Sequence, residues 1–165
     1  MSAPLRVVAS EGDSLEHLLT GVLDQSHRFA LELVGDEETA VRLMQEGALA
    51  AQRAIRRDGL PAESLTWFLR ILGDVFLARF AGGSPAGASV DSGVAVRTDD
   101  AAGVLAAFQE LAPSDRLVNA LYFAADLGYE EMARVLGLPV AVVRARLHRG
   151  RRTLLRLVGG NSARL

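Results

Sequence analysis

From Ala81 to Ser89 the chain reads Ala-Gly-Gly-Ser-Pro-Ala-Gly-Ala-Ser, and weak patterning continues to about Asp99. Small residues of this kind have too little apolar surface to hold an element in place. The chain of 165 residues is therefore expected to divide into two lobes, with 81–99 as a flexible interdomain linker. A phosphate-cradling loop is the alternative use of such glycines. It needs a lysine and a strand–glycine–helix order, and neither is present.

Both flanks are helical in pattern. Residues 1–13 have no period and read as a loose tail. Ser14 is positioned to cap a helix with Leu15, Leu18, Leu19, Val22 and Leu23 on one face, ending at Gly35. Asp36 can cap a second, with Glu37 and Glu38 in its first turn. Asp58-Gly59-Leu60-Pro61 is a turn. A third helix over Ser64–Phe80 is apolar on nearly all sides and should sit centrally. Beyond the linker, helices are expected over about 100–111, from Pro113 to about Asp126, over Tyr129–Leu136 and from Val140 to about Val158. No segment alternates as a strand. The predicted fold class is all-α, two small helical domains (14–80 and 100–165) joined by the linker, the second a helix–turn–helix.

Several function classes fall away. The absence of cysteine removes disulfide scaffolds, thiol catalysis and cysteine zinc sites. His17, His27 and His148 lack metal-ligand spacing. There is no Gly-x-Ser-x-Gly elbow. Glu37-Glu38 and Glu130-Glu131 are adjacent on helices and point apart, so neither is a carboxylate dyad. The expectation is no enzyme, no cofactor and no metal. Without a long apolar run or an export signal, a cytoplasmic protein with no membrane insertion is expected.

The net charge of −2 conceals an asymmetry. Residues 1–100 carry −6 and residues 101–165 carry +4. All 18 basic residues are arginine, and seven of them lie within 140–165, where there is no acid. Such clustering points to nucleic-acid contact. The cluster also lies on the second helix of a helix–turn–helix pattern, the helix that enters the major groove in such motifs. Met132, Ala133 and Leu136 form the inner face of the first helix, and Gly137 supplies the left-handed turn. Val143 and Leu147 face inward on the second. Ala141, Val142, Arg144, Ala145, His148 and Arg149 face out, followed by Arg151 and Arg152. Arginine there can fork onto phosphate or a guanine edge.

Residues 126–152, DLGYEEMARVLGLPVAVVRARLHRGRR, resemble without gaps the C-terminal helix–turn–helix of bacterial sigma factors of the extracytoplasmic-function (ECF) group. LVGDEETAVRLMQEGALAAQRAI and the stretch Trp67–Arg79 resemble that family's N-terminal domain. The resemblance implies a transcription initiation factor. Its C-terminal domain would read the promoter −35 element, and Leu43, Gln45 and Glu46 would dock on the β′ clamp helices of core RNA polymerase. Trp67, Arg70 and Arg79 would meet the unpaired −10 strand. It also implies a possible anti-sigma partner.

This chain departs from the family at four places. Pro139-Val140-Ala141-Val142 replaces Ser-x-Gly-Thr, Val41-Arg42 replaces an acidic pair, the aromatics near Ala48 and Gln52 are missing, and Ala-Gly-Gly replaces a basic run after Phe80. Two other functions fit the same residues: a sigma-like protein that binds polymerase or an anti-sigma factor without initiating, and a plain helix–turn–helix repressor. Arg146 either pairs with Glu131 or touches DNA. The linker also permits a closed form in which the acidic lobe covers the basic helix.

Overall fold

A helix that is apolar on almost every side must be enclosed by others, and Ser64–Phe80 is. The computed structural model describes residue 20 and residues 22–80 and 101–159. Within them run α1 (Leu23–Val34), α2 (Glu37–Asp58), α3 (Ser64–Phe80), α4 (Ala101–Gln109), α5 (Pro113–Phe123), α6 (Tyr129–Leu136) and α7 (Val140–Gly159). No strand occurs among the described residues. The expected tail 1–13, the helix start at Ser14 and the linker 81–99 lie outside them. The expected third helix coincides with α3, whereas α5 ends at Phe123, short of the expected Asp126.

Local chemistry sets the helix ends. The Asp36 carboxylate accepts the Thr39 N–H at 2.8 Å and caps α2. That bond holds its pKa below the usual carboxylate range. Glu37 and Glu38 in the first turn of α2, with Arg56 and Arg57 in its last, complement the helix dipole. Gly35 and Gly137 take left-handed backbone, with φ of 84° and 62°. Each donates its N–H back to close the preceding helix, to Leu31 and Ala133.

α1, α2 and α3 pack as a three-helix lobe around Phe29, Leu33, Leu43, Phe68, Leu72 and Phe76, all essentially excluded from solvent. Side chains of this size each contribute about 1.5–3 kcal/mol by leaving water. α4–α7 form the second lobe around Leu117, Val118, Leu121, Met132, Val143 and Leu147. α3 also packs on α5 and α6, and α1 on α4 and α5, so a single apolar cluster runs through both lobes.

Hydrogen bonds cross the same boundary. Gln25 donates to the Ala125 carbonyl at 2.7 Å, and Gln109 donates to that of Glu32 at 2.9 Å. Arg116 donates to the Leu33 carbonyl at 3.1 Å and to the Gln109 side-chain oxygen at 2.7 Å. Its guanidinium lies 5.8 Å from the Phe76 ring centroid. Burial lowers the Arg116 pKa from the usual arginine value. Helix carbonyls at the C-terminal end of α1 lack intrahelical partners, and these side chains supply them.

The lobes are therefore closed on each other, but the acidic lobe does not cover the basic helix. Arg144, Arg149, Arg152 and Arg156 remain exposed. Arg146 turns inward, half-buried, lining a small cavity with Asp74 of α3.

Candidate nucleic-acid interface

The turn between α6 and α7 shapes the site. Gly137 ends α6, and Leu138 N–H returns to the Ala133 carbonyl at 3.1 Å. The Pro139 carbonyl then accepts from Val142 and Val143 at 2.9 and 3.2 Å, starting α7. Val143 and Leu147 are buried, as four-residue spacing requires of an inward face. Met132 and Val135 are the buried residues of α6, with Ala133 and Leu136 half-buried. Ala141, Arg144, Ala145, His148, Arg149 and Arg152 are exposed, and Val142 and Arg151 are half-buried.

The arginines are not equivalent. Arg149 is held from below: its Nε and Nη2 each donate to an Asp115 carboxylate oxygen at 2.6 Å. The Asp115 side chain is 7% exposed and that of Arg149 61%. The carboxylate pushes the guanidinium pKa further up. Arg144 lies 5.1 Å from the centroid of Tyr129, the first residue of α6. Arg151 lies 4.7 Å from that of Tyr122 and 5.4 Å from that of Phe123. Tyr122 and Tyr129 stack at 6.2 Å. An aromatic shelf thus orients Arg144 and Arg151 by cation–π attraction, and a cavity of about 300 Å³ opens between them beside His148.

The shelf and the Asp115 anchor escaped sequence reasoning. Arg149 and Asp115 are 34 residues apart, and no local pattern links them. Arg146 does not pair with Glu131: the Glu131 carboxylate accepts the Gly128 N–H at 2.9 Å and starts α6 instead.

In the first lobe the expected residues divide differently. Leu43 is 1% exposed and belongs to the core, so it offers no docking contact. The resemblance made it a candidate, whereas its apolar spacing is that of the buried face of α2. Gln45 is exposed and lines a groove of about 660 Å³ between α1 and α2, with Leu23, Leu31, Val41, Met44 and Ala48. Glu46 accepts from Arg79 at 2.6 Å, so residues expected to meet different partners meet each other. Phe68 and Phe76 are buried core residues. Trp67 is half-buried and Arg70 exposed, both lining a cleft of about 350 Å³ between α3 and α6.

Among the described residues no cluster of His, Asp or Glu is arranged to hold a metal ion, and no helix is long and apolar enough to cross a membrane.

Residues 102–154 match the family of sigma-70, region 4. That segment takes in nearly all of α4, α5 and α6 and most of α7. No curated protein sequence matches the chain. Among solved structures, the chain is similar in fold to the sigma factor RpoE of Bartonella quintana, solved in complex with the anti-sigma factor NepR. The TM-score is 0.68 at 20% identity, over 88% of this chain and 97% of that one.

Proposed function

We propose that this chain is an ECF-type sigma factor, which binds core RNA polymerase through its first lobe and promoter −35 DNA through α7. The observation that carries this reading is the exposed row on α7, with Arg144 braced on Tyr129 and Arg152 about two turns further along the same helix, in a segment matching sigma-70 region 4. Arg144, Arg152 and His148 would contact phosphates or base edges, and Ala141, Val142 and Ala145 would approach the groove floor. Arg149 and Arg151, engaged with Asp115 and with Tyr122 and Phe123, would chiefly hold the helix and its neighbours in place. Gln45 and the apolar groove beside it are the docking surface for the β′ clamp helices, with Glu46 and Arg79 as its charged edge. Trp67 and Arg70 are the surface for the unpaired −10 strand.

The protein performs no catalysis of its own in this reading and works in the cytoplasm. The domain division at 81–99 would let the lobes separate on the promoter. RpoE's complex with NepR supports an anti-sigma partner for this chain too. A repressor needs only the second lobe, and the extensive packing of α3 on α5 and α6 favours a joint role for both.

In vitro transcription with core polymerase on a library of host promoters tests the proposal. Specific initiation is expected. Core binding without initiation would favour a sigma-like interaction protein, and DNA binding without core binding a repressor.

A further inference from the structure

The buried side of α7 decides which of its residues lead into a groove. Val143, Leu147 and Gly150 are buried. At 3.6 residues per turn, Ala141, Ala145 and Arg152 lie within about 30° of the opposite direction. Ala141 and Ala145 are exposed and fall in the first two turns of α7. The cations nearest to them stand to the sides. Arg144 and Arg151 lie roughly 90° or more from that direction, where Tyr129 and Tyr122 brace them. Arg149 lies about 50° to the other side and is tied to Asp115. The first turn itself, Val140-Ala141-Val142-Val143, has no hydroxyl, amide or charged side chain. The leading edge of the entering end of α7 is therefore a pair of methyl groups with a charged margin on each side.

We infer that this edge selects thymine: Ala141 and Ala145 read the C5-methyl groups of two closely spaced thymines, while the flanking arginines hold the groove walls. A hydrogen-bonding readout needs a donor or acceptor at the base edge, and neither alanine side chain has one. A thymine methyl needs only an apolar surface, which alanine supplies. Small size adds to this, because a side chain that ends at Cβ lets the helix backbone come close to the bases. Val142, half-buried on the Arg149 side, extends the apolar surface. A cytosine in the same place offers no methyl and brings an N4 amino group. That group would lose water against alanine without gaining a partner. Spacing sets the reach of the pair. Four residues along a helix span ~6 Å, close to two base-pair steps of ~3.4 Å. Thymines within two steps of each other, on either strand, are thus in range. This inference rests on the proposed DNA role of α7 and adds the base feature that it reads.

The test begins with selection from a library of randomised duplexes by the full chain, alone and with core polymerase. Enriched duplexes should share thymines within two steps of each other. Deoxyuridine in place of those thymines removes the methyl and keeps every hydrogen-bonding group. Affinity should then fall about threefold or more per methyl. In the double variant Ala141→Ser with Ala145→Ser, the ratio of thymine to deoxyuridine affinity should shrink about twofold or more. Circular dichroism establishes that the variant keeps its helices, and the base exchange is made on the DNA, where folding of the protein plays no part. Equal affinity of the parent chain for thymine and deoxyuridine duplexes overturns the methyl readout. A ratio unaltered in the folded double variant overturns the assignment to Ala141 and Ala145. Enrichment of a sequence without methyl dependence defeats this inference alone, whereas absence of any enriched duplex defeats it together with the DNA role of α7.

Discussion

The Asp115 carboxylate, in the first turn of α5, receives both Nε and Nη2 of Arg149 at 2.6 Å and ties α7 to α5. Removing Arg149 leaves a buried carboxylate with only the N-terminal end of α5 to compensate it. Loss of one partner of a fully buried pair costs about 3–5 kcal/mol. Arg149 is 61% exposed, so solvent screening reduces the expected cost of Arg149→Ala to about 1–3 kcal/mol. Thermal unfolding should show a lower Tm, with partial recovery in Arg149→Lys. A normal Tm combined with lost DNA binding would make Arg149 a DNA contact instead of an anchor.

Arg144 is the counterpart test. Each phosphate contact contributes about 0.9 to the slope of log affinity against log salt. Arg144→Ala should flatten that slope by about this amount. Tyr129→Ala removes the shelf under Arg144 but no charge, so it should lower affinity with the slope kept. A slope unaltered in Arg144→Ala would remove this residue from the interface.

Gly150 has to be glycine because of Asn119. A Cβ there would lie 2.0 Å from Asn119 Nδ2, and that nitrogen donates to the Asp115 carbonyl at 2.7 Å. Alanine gains up to ~1 kcal/mol in helix propensity. Overpacking against a fully buried side chain costs about 1–3 kcal/mol and should win. Gly150→Ala is expected to lower the Tm, and adding Asn119→Ala should restore part of the loss. An increase in Tm for the single variant would contradict the close α5–α7 seam.

Glu32 supplies a pH dependence. Burial raises its pKa, opposed in part by Arg28, and its Oε2 is buried without a hydrogen-bond partner. The folded chain therefore binds this proton more readily than the unfolded chain does. The penalty is absent below the ordinary glutamate value of 4.5, grows as pH rises toward the folded pKa, and is complete above it. Glu32→Gln should raise the Tm by about 1–3 °C near neutral pH and leave it unchanged in acid below the ordinary value. Equal gains at both pH values would point to packing instead of charge.

The helix–turn–helix was legible because its signals are local: an apolar period, a glycine at a left-handed turn and a proline at the next helix start. The same logic placed Ser64–Phe80 at the centre, since a helix without a polar side must be enclosed. Leu43 shows where that reasoning stops. Its family position suggested a contact surface, but periodicity had also marked it as part of the buried stripe of α2, and burial prevailed. Glu46 and Arg79, 33 residues apart, could be joined only by the crossing of α2 and α3.

The sequence by itself determined the helices of the described residues, the charge asymmetry between the two halves and the outward row of α7. Each of these follows from residues within a few turns of one another, where spacing alone decides which face a side chain occupies. Tertiary structure decided how the arginines are used. Asp115 engages Arg149, Tyr129 braces Arg144, and the cavity beside Asp74 takes Arg146. It also decided that the lobes close through α1 and α3 and enclose Trp67 in a cleft while α7 stays open. Those outcomes depend on groups 15 to 100 residues apart on different helices, which helical period cannot relate and only the packing of one helix on another brings together.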